Sequence, residues 1–285
     1  MKKSEDIDGW VSREIAAFVN RSAENSLGDD RNEKAVGSPL VGFSRGDDPL
    51  YRVIKKEIGD FYWTPADIFN LTFPESPLNP DQLSVVCWIL PQTEATKRSN
   101  RQQKKYPSER WARAKFYGKK FNRSLRQYIV DILTRAGYRT VAPVSSPRWQ
   151  WLEHDRHGYA SPWSERHVAF VSGLGTFGLC EGLITPVGKA VRIGSLVTTA
   201  NIPPTVRHYA HHHEYCLYFK CGGCLKCAGR CPVAAISPAG HDKITCRSFN
   251  YRMGAKFEEK YNLEIPACGL CQTNVPCESG IPEIV

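Results

Sequence analysis

Cys221-Gly-Gly-Cys224-Leu-Lys-Cys227-Ala-Gly-Arg-Cys231-Pro232 sets four thiols at gaps of two, two and three residues, with a proline directly after the last. Thiolates so spaced suit a [4Fe–4S] cube: the first three converge on one cluster and the fourth is carried toward another. Gly222 and Gly223 permit the backbone angles that such tight loops demand. A second set follows, made of Cys246, Cys268-Gly-Leu-Cys271 and Cys277. Interleaving assigns Cys221, Cys224, Cys227 and Cys277 to one cluster, and Cys231, Cys246, Cys268 and Cys271 to the other. The second set departs from the simple spacing, because Cys246 lies far from Cys268 and five residues separate Cys271 from Cys277. CxxC pairs also build structural zinc sites, but a zinc ribbon needs neither the three-cysteine loop nor its proline.

Three of the eleven cysteines stand outside this count. Cys87 falls in an apolar run and reads as an inert buried thiol. Cys180 and Cys216 read as packing residues, although either lies where it could approach a cofactor. His211-His212-His213 reads as a surface run, since three adjacent side chains cannot all face one ion.

Elements that must position these thiols occupy the preceding two hundred residues. Leu83 to Leu90 is a short apolar run with β-branched residues, closed by Pro91, and reads as a buried strand. Gln92 to Pro107 is polar, basic and long enough to be a loop with a job, such as a lid. Phe121, Leu125, Tyr128, Ile129, Ile132, Leu133 and Ala136 recur at helical spacing, with Gly137 placed to end the helix. Tyr138 to Val144 reads as the next strand, and Val191 to Thr199 as another. Trp10 to Phe18 reads as an amphipathic helix within a first eighty residues that are otherwise hard to place. Strand, helix, strand in this order points to a mixed α+β or α/β domain with a sheet. Composition shifts toward cysteine after Pro203-Pro204, which divides the chain into residues 1–205 and 206–285.

Charge is concentrated. Of the net +9, the stretch from Lys97 to Arg126 carries twelve Lys/Arg against Glu109 alone, so the remainder sums to −2. Such a surface suits a solvated face, a phosphate-bearing ligand, an acidic electron donor or nucleic acid. The leading residues show no apolar signal segment, and no run reaches the roughly eighteen apolar residues a membrane span needs. A cytoplasmic protein is expected, with no membrane partner, where cysteines serve as metal ligands sooner than as disulfides.

Gly173-Leu-Gly175-Thr-Phe-Gly178 matches G-x-G-x-x-G in letters. A dinucleotide site needs a preceding strand, a following helix and an acid about twenty residues on. Here Ser164 to Ser172 looks helical and Arg192 occupies the region where the acid is wanted, so that reading fails.

The run Ser164-Glu-Arg166-His-Val-Ala-Phe-Val-Ser-Gly173-Leu174-Gly175, then Leu183-Ile-Thr185-Pro186, Gly188 and Arg192 to Thr199, resembles epoxyqueuosine reductases and corrinoid-dependent reductive dehalogenases. The likeness covers roughly residues 80–285 and ends in the two-cluster ferredoxin unit. It implies a nitroreductase-like domain holding a base-off cobalamin, followed by a bacterial two-cluster ferredoxin domain. Gly173, Leu174, Gly175, Gly178, Thr185 and Pro186 are the implied corrinoid contacts. It further implies a reductase fed by a low-potential ferredoxin or flavodoxin.

Two departures shape the expectation. Epoxyqueuosine enzymes carry an aspartate as proton donor seven residues before the arginine matching Arg166; here that position is Tyr159, as in the dehalogenases. Arg166 and the lysines of residues 97–126 are candidates for the cation that would steady its phenolate. The sequence also ends eight residues after Cys277, without the helical-repeat extension that helps many epoxyqueuosine enzymes grip tRNA. A small-molecule substrate is therefore expected ahead of tRNA. The rival readings are an electron-transfer protein that reduces a partner, and a tRNA epoxyqueuosine reductase.

Overall fold

The computed structural model describes residues 6–29 and 32–284. Residues 1–5, read above for the missing signal segment, lie outside that range. Helix α1 (Ile7–Arg21) and strand β1 (Leu40–Arg45) lead into helices α2 (Pro49–Ile58) and α3 (Pro65–Thr72). Strand β2 (Ser84–Pro91), helices α4 (Glu94–Arg101) and α5 (Glu109–Arg135) and strand β3 (Thr140–Val141) follow. A hairpin of β4 (Leu152–His154) and β5 (Gly158–Ala160) precedes helix α6 (Glu165–Val171). Short strands β6 (Thr176–Phe177) and β7 (Leu183–Ile184) then lead to β8 (Val191–Thr198). The cysteine segment holds helices α7 (Leu217–Cys221) and α8 (Lys226–Gly229), strands β9 (Ile236–Ser237) and β10 (Gly240–His241), and helix α9 (Lys243–Tyr261).

β2 is apolar from Val85 to Pro91 because both faces of its sheet are covered. Val85, Cys87 and Ile89 point into a core with Tyr51, Trp163 and Phe170, on the side of α2, α3 and α6. Val86, Trp88 and Leu90 point the other way, against Val11 and Ile15 of α1 and Phe121, Leu125 and Ile129 of α5. Cys87 is fully buried, as its place in the run implied, and burial pushes its thiol well up.

The central sheet has the order β1-β2-β8-β3, and every pairing in it is antiparallel. β2 and β3 therefore run in the same direction, as the strand–helix–strand pattern implied, but β8 lies between them. A late strand fills the gap that a simple α/β crossover would close. The fold is mixed α and β, with antiparallel pairing throughout the sheet.

α4 corrects the reading of residues 92–107 as a lid. Thr93 caps it by accepting the Thr96 amide, and its buried face is polar: Thr96, Lys97 and Asn100 are at most 8 % exposed. Those side chains brace the cysteine segment. Lys97 Nζ reaches Ser279 Oγ at 2.7 Å, Asn100 Nδ2 reaches Thr273 Oγ1 at 3.0 Å, and Arg101 Nε meets Glu278 at 2.9 Å. Arg230 returns the contact by donating to the carbonyls of Asn100, Gln103, Leu270 and Thr273. α5 also begins earlier than its apolar spacing indicates, capped by Ser108 at the Trp111 amide. Among the described residues no helix is long and apolar enough to cross a membrane.

Candidate metal centre

Loops in the cysteine segment turn sharply, as thiolate convergence requires. α7 ends on Gly222 in the left-handed region (φ 73°), and Gly269 takes φ 111° between Cys268 and Cys271. A cavity among these loops is walled by Cys216, Cys224, Cys227 and Cys277 together with Leu179, Ile184 and Lys189. Three of the four thiols assigned to one cluster thus line one cavity. Cys221 does not; it is exposed, and its Sγ meets the Leu217 carbonyl at 3.0 Å.

The other four stand together through α9. Cys268 lies close enough to Cys246 and Cys231 for their charges to raise its thiol, although burial is the larger cause. Asn250 links two of them, receiving the Cys268 amide at 2.9 Å and donating to the Cys246 carbonyl at 3.0 Å. Cys231 Sγ accepts the Ala235 amide at 3.2 Å. Cys271 is the neighbour of Cys268 that also reaches toward Cys180.

Cys180 and Cys216 are packed as expected, in a buried apolar cluster that also holds Cys227 and Cys277. Cys180 Sγ contacts Cys227 and Cys271, one thiol from each assigned set. Those two contacts and the Lys189 ammonium hold Cys180 well below the usual thiol range, while Cys227 and Cys271 are pushed up. Nothing in the sequence marked this pairing except a cysteine just after the glycine segment and a lysine nine residues on.

Among the described residues no group of three or more His, Cys, Asp or Glu side chains stands ready to grip a metal ion. The donor chemistry nevertheless fits a cluster. The cavity wall offers soft sulfur, apolar carbon and the Lys189 ammonium, with no carboxylate or imidazole.

The glycine segment is shaped by the chain itself. Gly175 sits at φ 157°, where an added Cβ would come within 2.2 Å of the Ile184 carbonyl oxygen. Gly173 lies beside Thr205 and Val206, Gly178 packs on Ile184, and Leu174 is buried in the core. Thr185 is fully buried with its hydroxyl on the Gly188 carbonyl at 2.6 Å, and Pro186 alone of the six presents an exposed side chain. A helix precedes these glycines and a strand follows, opposite to the dinucleotide arrangement.

Tyr159 lies on the β4–β5 hairpin at the solvent edge. Its hydroxyl donates to Glu153 Oε1 at 3.0 Å, and that bond raises the phenol above its ordinary value. The cation beside it is Arg247 of α9, 4.0 Å from the ring centroid. Arg166 is elsewhere, donating to the Glu181 carbonyl at 2.6 Å. Arg247 also stacks on Tyr251, and Trp151 stands at 5.8 Å.

The basic stretch is half consumed internally. Arg101, Arg110, Arg113 and Arg126 are paired with Glu278, Glu33, Glu109 and Glu165, and Lys97 with Glu94. Lys115 lies over Trp111, and burial lowers its ammonium to about 7. Among the described residues Arg98, Lys104, Lys105, Lys119, Lys120 and Arg123 form no ion pair.

No protein-family model matches the chain. A stretch of 124 residues, 41 % of the chain, is 29 % identical to an epoxyqueuosine reductase of Bacillus cereus and spans 30 % of that protein's length. An epoxyqueuosine reductase solved with an epoxyqueuosine-modified tRNA stem loop superposes with a TM-score of 0.51 at 18 % identity. That match covers 97 % of this chain and 67 % of the other. A catabolic reductive dehalogenase solved with 3-bromo-4-hydroxybenzoic acid gives 0.52 at 14 % identity, over 95 % of this chain and 36 % of the other. The resemblance read from the sequence is therefore the right one: the chain is similar in sequence to epoxyqueuosine reductases and shares a fold with them and with a reductive dehalogenase.

Proposed function

We propose that the chain is an iron–sulfur reductase that passes electrons from a low-potential protein donor to a bound substrate. The observation that carries this is the gathering of thiols around an apolar cavity, in the segment where spacing alone calls for two four-iron clusters. Cys221, Cys224, Cys227 and Cys277 would hold one cluster; Cys231, Cys246, Cys268 and Cys271 would hold the other. When bound, the clusters supply one-electron transfer. The protein supplies the rest: α4 and Arg230 fix the cysteine segment on the α+β body, and Cys221 keeps one loop at the surface where a donor can reach it.

A corrinoid between the nitroreductase-like body and a ferredoxin-like unit, divided near residue 205, is implied by the resemblance. The six residues named for it are occupied in shaping the turn, with Pro186 alone open to solvent, so no step is assigned to that group. Tyr159 is the proposed proton donor. A phenol is protonated at neutral pH, its bond to Glu153 raises it further, and Arg247 over the ring steadies the charge left after transfer. The assignment is tested by iron and sulfide analysis after anaerobic reconstitution. About eight of each per chain are expected, and stoichiometric zinc without broad visible absorption contradicts it.

A tRNA substrate is a second reading, favoured by the six cations of α4, α5 and the loop between them that form no ion pair among the described residues. The comparisons give a small molecule no advantage over it. If RNA binds there, reversing Lys104, Lys105, Lys119 and Lys120 together should abolish binding, and the affinity of the parent should fall steeply with salt. Salt-insensitive binding, or binding unchanged by the reversal, removes this surface from RNA recognition.

A further inference from the structure

Lys189 is 3 % exposed, and among the described residues it forms no ion pair with a carboxylate. Its Nζ donates to Cys180 Sγ at 3.3 Å, and Cys277, Cys271 and Cys227 lie close enough to act on its charge. A buried ammonium gives up its hydration and calls for negative charge beside it, and Lys189 lines the cavity with Cys224, Cys227 and Cys277.

The fold fixes this placement tightly. Gly188 lies at φ 85°, and an added Cβ there would come within 2.1 Å of the Glu278 carbonyl oxygen. That close approach lets the Lys189 amide donate to the Cys277 carbonyl at 2.9 Å. Cys180, touching Cys227 and Cys271, anchors the ammonium between the two gatherings of thiols.

We propose that Lys189 is a positioning residue for the cluster held by Cys221, Cys224, Cys227 and Cys277, its fixed charge favouring that cluster's reduced, more negative state. The inference rests on the two-cluster reading above. The step is a single electron: the reduced donor loses it, the cluster gains it, and no bond forms or breaks. Without the ammonium the added negative charge would sit in an apolar wall, and reduction would need a stronger reductant.

Test it by reconstituting wild-type, Lys189→Met and Lys189→Arg proteins anaerobically, counting iron, and titrating potential while following the paramagnetic resonance of each cluster. Cys224→Ala identifies which signal belongs to the first cluster. Lys189→Met with full iron should lose about tenfold in that cluster's reduction equilibrium, ~59 mV for one electron, with a smaller change in the second. Lys189→Arg should restore most of the loss. Unchanged midpoints in fully loaded Lys189→Met overturn the inference alone. If Lys189→Met takes up no iron, Lys189→Arg decides: full iron with a midpoint near wild type supports the role of charge, and failure to load shows packing instead. Wild-type protein that forms no cluster sinks the inference together with the two-cluster reading.

Discussion

Replacing Glu165 with Leu is expected to destabilise the fold by about 3–5 kcal/mol, the cost of leaving a buried partner charge unpaired. Glu165 opens α6, and Arg126 of α5 grips both its oxygens at 2.8 and 2.9 Å across the edge of the sheet. The arginine side chain is 10 % exposed and the glutamate 18 %, so water can rescue neither well. Arg192 adds a second guanidinium beside the pair, with its Nε buried and unpartnered. Burial raises the Glu165 carboxyl even though Arg126 pulls the other way, a sign of how dry the site is. The double variant Glu165→Leu with Arg126→Met should recover much of the loss, because an apolar pair of similar volume is often as stable as a buried ion pair. Urea denaturation of the three proteins measures both effects. A loss under about 1 kcal/mol for the single change, the range of an exposed pair, would show that the contact is solvated.

Tyr159→Phe should lower turnover by roughly 10²–10⁴-fold, the usual worth of general acid catalysis. Fold, cluster content and donor reduction should be unaffected, since the ring keeps its stacking on Arg247 and loses a single hydrogen bond, to Glu153. The pH profile gives the sign. The Glu153 bond raises the phenol in the folded protein, so the donor form persists as pH rises toward the ordinary phenol range near 10. Activity limited by this group should therefore fall only on the alkaline side, and Glu153→Gln should move that fall to lower pH. A Tyr159→Phe enzyme with wild-type turnover would reduce the tyrosine to a surface aromatic.

Much of the framework was legible because local pattern and global packing agree there. β2 reads as a doubly buried strand from its apolar run, and the α5 repeat continues to Gly137 at φ 92°. α4 stayed hidden for a physical reason. Its residues Glu94 to Arg101 include one apolar side chain, Ala95, and its buried face is polar because its partners are Ser279, Thr273 and Glu278. Periodicity of apolar residues cannot register a face that packs by hydrogen bonds. The cysteines proposed to hold clusters announce themselves by spacing, whereas Cys180 and Lys189 reach them only through the β6–β7–β8 fold. Arg247 is likewise invisible beside Tyr159 in sequence, since α9 brings it back from the cysteine segment.

In the proposed arrangement the two sets of four thiols interleave, with Cys277 closing the first loop's cluster. Its most direct measurement is the paramagnetic resonance spectrum of reduced, anaerobically reconstituted Cys277→Ala protein beside that of Cys224→Ala. Interleaving requires that each variant lose the same one of two [4Fe–4S] signals and keep the other. Loss of different signals, or two intact clusters in Cys277→Ala, would contradict it.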